Sequence, residues 1–214
     1  MRSFAITIVF CFSFALSYSQ RFDPNFKLQA GIGIARVSPS PDRPLRFYSK
    51  PDFDSVPYQF KAIDSVTFIK GEHYIDIATA PPWLAPEYIK LDYDQFLFRV
   101  VTYSQNWIEV IVNNMNGQTF WVDAQAVEYE DWGTFLTGVV AVEVLDADKN
   151  PIRGKALDQA SIIASVQGAQ LRPVAVKGDW LMVSTVGLAD RIVPTGWIRW
   201  KKGDQLLISY SVLS

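Results

Sequence analysis

One sequence pattern occurs twice and constrains the fold more than anything else in the chain. Trp107-Ile-Glu-Val-Ile-Val is followed by Asn113-Asn-Met-Asn-Gly117 and then Gln118-Thr-Phe-Trp-Val122; downstream, Trp180-Leu-Met-Val183 leads through a Gly- and Pro-containing loop to Gly196-Trp-Ile-Arg-Trp200. Both copies read as a strand opened by Trp, a connection, and a second strand carrying Trp-Val or Trp-Ile. The Trp-to-Trp spacings are 14 and 17 residues. Apolar residues alternate on either side of Asn116-Gly117, and that dipeptide supplies the positive φ of a tight turn, so the first copy predicts a β-hairpin.

The rest of the chain agrees with a β architecture. Short β-branched and aromatic runs, such as Gly31–Val37, Ser65–Ile69, Tyr74–Ala78, Phe96–Val101 and Val139–Val144, are separated by Gly, Pro, Asn and Asp. Helical candidates are short and lie near Ala85–Leu91, Asp131–Leu136 and Leu157–Ala160. An all-β fold is expected. With 49% hydrophobic residues among 214, the chain can bury a core, and wholesale disorder is excluded.

The repeat extends upstream. Arg46-Phe-Tyr-Ser-Lys-Pro-Asp52 opens the first copy and Asn150-Pro-Ile-Arg-Gly-Lys-Ala-Leu-Asp158 the second. From Lys50 to Trp107 is 57 residues, against 25 from Lys155 to Trp180, so the first copy carries about 32 extra residues between Ser55 and Leu97. The Tyr-Ser-Lys-Pro opening, the Trp-Ile-Glu-Val strand and the Trp-Val strand resemble bacterial Src-homology-3-like (SH3b) domains, small β-barrels common in exported cell-wall proteins. Lys-Gly-Asp-Trp-Leu-Met-Val and Gly-Trp-Ile-Arg-Trp are similar and nearer the usual spacing. The resemblance implies two SH3-like β-barrels in tandem: residues 45–134 with an insertion at about 55–97, and residues 135–214, preceded by an N-terminal strand segment at 20–44. The join, Glu128-Tyr-Glu-Asp-Trp-Gly-Thr-Phe-Leu136, is aromatic rather than linker-like, which predicts a fixed orientation of the halves.

The N-terminus reads as a secretory signal peptide, residues 1–19. Arg2 supplies a positive charge, Phe4–Leu16 an apolar stretch of 13 residues, and Ser17 and Ser19 the small residues before a cut. That stretch is too short to span a bilayer, which takes about 20 apolar residues, and no longer run follows. Export to the periplasm or the extracellular space is expected. The only cysteine, Cys11, leaves with the signal.

Composition then excludes chemistry. A mature chain without cysteine has no thiol nucleophile, which removes the cysteine-peptidase mechanism. His73 is the single histidine, so a histidine metal site lacks partners, and no Gly-x-Ser-x-Gly elbow accompanies it. Asp146-Ala-Asp-Lys-Asn150 starts like a calcium loop but has Pro151 where Gly is needed and Leu157 where a bidentate Glu belongs; it reads as a turn. Acidic neighbours such as Asp92 with Asp94, and Glu128 with Glu130 and Asp131, read as solvated faces. Net charge of −2 gives no basic footprint for nucleic acid. No catalytic residue, metal or cofactor is expected.

The aromatics remain. Trp107, Trp121, Trp180 and Trp197 read as core positions of the repeat. Trp83 and Tyr88 lie in the insertion among Pro81, Pro82 and Pro86, where they form either a ligand shelf or a barrel cap, and Tyr48 falls where SH3-like folds place groove aromatics. Tyr48, Trp83 and Tyr88 are therefore the candidate ligand-binding residues. The function expected is a non-enzymatic binding module of the bacterial envelope, with cell-wall peptide or an envelope protein as partner. A structural or assembly subunit whose barrels pack on a partner chain is the alternative, and an unrecognised hydrolase the weakest.

Overall fold

The computed structural model describes residues 27–185 and 195–213; the expected signal peptide and the second hairpin's loop fall outside them. The fold is mostly β, 49% strand with one α-helix, in several sheets that include one half-barrel. Among the described residues, no helix is long and apolar enough to cross a membrane.

The first half contains strands β1 (Gly33–Val37), β2 (Leu45–Phe47), β3 (Asp64–Lys70), β4 (Ile75–Thr79), β5 (Tyr88–Lys90), β6 (Gln95–Tyr103), β7 (Trp107–Asn113), β8 (Gln118–Asp123) and β9 (Val127–Asp131). Helix α1 (Trp132–Gly138) leads to β10 (Ala141–Val144), β11 (Ile152–Arg153), β12 (Ile162–Ala164), β13 (Leu171–Lys177), β14 (Trp180–Thr185), β15 (Gly196–Arg199), β16 (Lys201–Lys202), β17 (Gln205–Leu206) and β18 (Ile208–Ser211).

The two large sheets share one strand order. The first runs β8-β7-β6-β1-β9, with β5 also paired to β6; the second runs β15-β14-β13-β10-β18 and continues from β15 through β11 to β12. The registers of the two Trp hairpins match as well. Trp121 lies opposite Glu109, two residues after Trp107, and Trp197 lies opposite Met182, two residues after Trp180. Tyr48 pairs with Trp121, and Arg153 with Trp197. Tyr48 and Arg153 each stand two residues before the lysine on which the sequence repeat aligns, Lys50 and Lys155.

Pairing places one expected strand and revises two other expectations. Strand β1, in the segment expected to precede the first barrel, sits between β6 and β9 and is the counterpart of β10. Of the three helical candidates, only that at the join forms an α-helix. Tyr88–Lys90 is a strand followed by a 3₁₀ turn, because β6 offers it an antiparallel partner. Of the four repeated tryptophans, Trp107 and Trp180 are buried, but Trp121 and Trp197 are half-buried, since strand alternation gives the core positions to Val122 and Ile198. Phe53 covers Trp121, with ring centroids 5.1 Å apart.

Turn geometry follows the sequence. Gly117 has φ 72°, and its N–H donates to Asn113 C=O at 2.8 Å. At the other hairpin, Gly196 is required by crowding: a Cβ there would lie 2.5 Å from Ile152 Cγ2 and 2.7 Å from Arg153 O.

Both faces of β6 are buried from Phe96 to Val100, so apolar residues stand at successive positions there, interrupted only by Arg99. Phe96, Phe98 and Val100 face a core shared with Phe47, Val66, Phe68, Ile108 and Val110. Leu97 faces the other way, with Ile34, into a core shared with Trp132, Phe135 and Leu136 of α1 and with Leu171, Leu181, Ile198, Trp200 and Ile208 of the second half. The halves are thus joined by a common apolar core rather than a tether.

Helix α1 is short, at seven residues, and depends on its N-cap. The Asp131 carboxylate accepts from Gly133 N–H at 2.7 Å, Thr134 N–H at 3.0 Å and Thr134 Oγ at 3.0 Å. The Thr134 bonds, foremost, hold its pKa below the usual carboxylate value. Asp131→Ala is expected to destabilise the fold by about 1 kcal/mol in chemical denaturation. Because the folded pKa is depressed, this contribution is present above the unfolded carboxylate pKa of about 4 and is lost as pH falls through the folded value; the variant's deficit should shrink in acid.

Candidate functional site

Two recesses hold the candidate chemistry. The larger, about 500 Å³, lies where the β1–β2 connection meets β2 and the β8–β9 corner. Its lining includes Asp42, Arg43, Arg46, Tyr48, Asp123 and Glu128. Alternation along β2 places Leu45 and Phe47 in the core and leaves Arg46 exposed. Tyr48 is 6% exposed, stacked edge-on against Trp107 at 5.1 Å. Its phenol pKa is raised by burial first and also by the charge of Asp123, against the lowering effect of Arg46. Tyr48 therefore stays neutral, between a cation and an anion that face the same groove.

The smaller recess, about 340 Å³, lies between the halves and is lined by residues of both, including Glu87, Tyr88, Arg99, Leu145, Ile208 and Tyr210. Arg99 follows Leu97 on the face of β6 turned toward the second half. Its Nε donates to Glu87 Oε2 at 2.7 Å, its Nη2 to Glu87 Oε1 at 3.0 Å and its Nη1 to Gln29 C=O at 3.0 Å. Asn114 Nδ2 donates to Glu87 Oε2 at 2.6 Å, and the Tyr210 hydroxyl donates to Glu87 Oε1. The ion pair is nearly dry, with side-chain exposures of 11% for Arg99 and 9% for Glu87. Burial, then the negative charge of Glu87, pushes the Tyr210 phenol well above its ordinary pKa, so it remains a neutral donor.

The candidate aromatics are dispersed among these features. Tyr48 lines the larger groove and Tyr88 the smaller recess. Trp83 packs on the first core, 5.1 Å from Phe47 and 4.9 Å from Phe120, and its C=O accepts from Asn113 Nδ2 at 2.7 Å. Backbone bonds from Ala85 to Val112 and Asn114 strap this Pro-rich segment along β7. Trp83 thus occupies the position of a cap on the sheet. His73 is solvent-exposed, 3.9 Å from Glu72. In the Asp146 loop the carboxylate bonds Lys149, while the Asn150 side chain grips the backbone of Arg199, as a turn against β15 would. Among the described residues, no group of three or more His, Cys, Asp or Glu is placed to hold a metal ion.

Glu87, Arg99 and Tyr210 were absent from the sequence candidates. Glu87 and Tyr210 are 123 positions apart, and no local pattern couples them. The Arg46 side of the larger groove was more accessible, because β2 alternation alone turns that residue outward.

No family model matches the chain, and no curated protein matches it. A solved structure titled "Structure of NlpC2 from Trichomonas vaginalis" is similar over 85% of this chain and 49% of that one, at 10% identity and a TM-score of 0.31. The chain therefore spans about half the length of that protein.

The inter-half cluster yields a stability prediction. Glu87→Ala leaves Arg99 buried without a counter-charge and should cost about 3–5 kcal/mol, whereas Tyr210→Phe removes one hydrogen bond to a carboxylate and should cost about 1.5–3 kcal/mol. The double variant should fall short of the sum, since both act on the same carboxylate. Urea titration of the four proteins measures the coupling.

Proposed function

We propose that this chain is an exported, non-enzymatic binding module of the bacterial cell envelope, built from two SH3-like barrels, which recognises cell-wall peptide. The shared strand order of the two sheets and the equal registers of their Trp hairpins support the barrel reading. One observation carries the ligand class: Arg46 and Asp123 flank the neutral phenol of Tyr48 in a single groove of about 500 Å³. Wall peptides carry both free carboxylates and free amines, so a groove with fixed charges of both signs around an aromatic floor is matched to them. Arg46 supplies the fork for a carboxylate, and Asp123 and Glu128 receive an ammonium group. The site binds and orients, and it assigns no step of bond cleavage to any residue.

Trp107 and Trp121 contact Tyr48 through its ring and its backbone, which makes them reporters. Titration of residues 20–214 with soluble wall peptide should give a saturable change in tryptophan fluorescence. Arg46→Ala should weaken binding by about tenfold or more, the value of a hydrogen bond to a charged group, with stability changed by less than about 0.5 kcal/mol because Arg46 is exposed. No response at millimolar peptide would overturn wall recognition and leave the assembly-subunit reading.

A further inference from the structure

The second half carries, at its own Trp hairpin, a charge of the sign opposite to that in the first. Arg199 stands two residues after Trp197, as Asp123 stands two after Trp121, and each lies opposite the opening tryptophan of its hairpin, Trp180 or Trp107. In the first half, Tyr48 and Phe60 pack edge-on against that indole. In the second, Trp180 is 8% exposed although it belongs to neither apolar core, and the Arg199 guanidinium covers its ring, 4.4 Å from the centroid. Arg199 Nε donates to Asp158 Oδ1 at 2.9 Å and Nη2 to Asp158 Oδ2 at 2.6 Å, a two-pronged grip on a carboxylate. The Asp158 carboxyl is held below its usual pKa, first by those hydrogen bonds, against desolvation, and then by the charges of Arg199, Arg153 and Lys202. Three cations thus act on one oxyanion that the chain itself supplies.

Each partner of this pair is held in place by contacts other than the pair itself. Asn150 fixes the backbone of Arg199: its Oδ1 accepts from the Arg199 N–H at 2.9 Å, and its Nδ2 donates to the Arg199 C=O at 2.7 Å. The guanidinium rests on Trp180, and Nη1, which Asp158 does not engage, lies 3.8 Å from Asp179. Asp179 also approaches Lys201, at 3.9 Å. Asp158 belongs to the β11–β12 connection, which closes on itself: Gly154 N–H donates to Ser161 C=O, Ala160 N–H to Leu157 C=O, and Arg153 Nη1 to Ala160 C=O. The Asp158 side chain is 60% exposed, so water solvates it when the pair opens, and the pair is weak. Opening leaves a preset fork whose Nε–Nη2 edge faces outward without a carboxylate.

We infer that Arg199, seated on Trp180, is an oxyanion site for the carboxylate or phosphate group of a ligand, and that Asp158 is its built-in occupant, displaced when the ligand binds. Nε and Nη2 take the two oxygens that Asp158 now provides, and Arg153 and Lys202 add attraction for the incoming charge. Asp158 acts as a latch, since affinity for a free oxyanion falls by the fraction of molecules in which the fork is already filled. The site belongs to the second half, away from the Tyr48 groove, and does not rest on wall-peptide recognition.

The test titrates the mature chain with sodium phosphate and, separately, with sodium acetate, at an ionic strength held constant with sodium chloride. The readout is the Arg199 Nε–H resonance, assigned by its absence from Arg199→Lys. Asp158→Ala, at an exposed position, should retain the melting curve and bind the anion about threefold or more tighter than the parent chain, because the latch no longer competes. Asp158→Asn, which removes the charge alone, should act in the same direction. Saturation by phosphate, by acetate or by both sustains the site and assigns its ligand to phosphates, to carboxylates or to either. Arg199→Lys keeps the charge but not the fork, and binding read at the Trp180 indole N–H should weaken about tenfold or more. Arg46→Ala should leave anion binding unchanged, which separates failure here from failure of the groove. No saturable shift in Asp158→Ala, or equal affinities in that variant and the parent chain, would overturn the proposal and leave a structural ion pair.

Discussion

The indole of Trp132 sits where helix α1, the first sheet and the second half meet. Its N–H is shared between the C=O groups of Ala30 and Gly31, at 3.2 Å each, just before β1, the strand held between β6 and β9 in the first sheet. Its ring lies 5.6 Å from Trp200 and 6.0 Å from Tyr210 of the second half, and 5.7 Å from Phe135 of its own helix. The first turn of α1 is thus fixed to both sheets at once. Without that anchor each sheet would leave an apolar face in water. The orientation of Tyr210 toward Glu87, and with it the floor of the inter-half recess, is set by the same contacts.

The sequence disclosed those parts of the fold that depend on neighbours in the chain. Alternation and Asn116-Gly117 were sufficient for the first Trp hairpin, and the repeated Trp pattern pointed to a second hairpin whose register matches the first. Asp131 ahead of Trp132-Gly-Thr is a helix start readable as such. What escaped depends on partners distant in sequence. Strand β1 is readable as a strand in Gly31–Val37, but not its partners, since β6 and β9 begin about 60 and 90 residues later. Trp121 and Trp197 read as core because indole is apolar, yet alternation had already assigned the inward position to the next residue. The buried pair of Glu87 and Arg99 looks like two ordinary surface charges until the second half covers it.

The candidate site was legible to a similar degree. Tyr48 was identified as a groove residue and lines a groove, but Trp83 and Tyr88, which share the insertion with one another, diverge. Hydrogen bonds from the 83–85 backbone to β7 and Asn114 hold Trp83 against Phe47 and Phe120, while Tyr88 enters a strand. Their closeness in sequence conceals that β5 turns toward the second half. A Pro-rich aromatic segment predicts a preset backbone shape, and this one is strapped along β7 by backbone hydrogen bonds; it does not predict which side of the sheet the rings will face.

The two recesses differ in the physical basis of recognition, and the difference follows from where each lies. The Tyr48 groove is formed by loops of one half, open to water, so its charges remain separately hydrated and can exchange water for ligand at small cost. The inter-half recess forms where apolar faces close on each other, and a charge there must be matched before folding can finish. Glu87 and Arg99 meet that requirement with each other, leaving neither available as a strong charge for a ligand. The other polar side chains of that space, Gln205, Ser209 and Tyr210, carry no charge. A chain assembled from two copies of one sheet order thus presents two recesses of opposite character: separate exposed charges in the groove that one copy forms alone, and a self-neutralised ion pair in the recess that exists only because the copies are packed together.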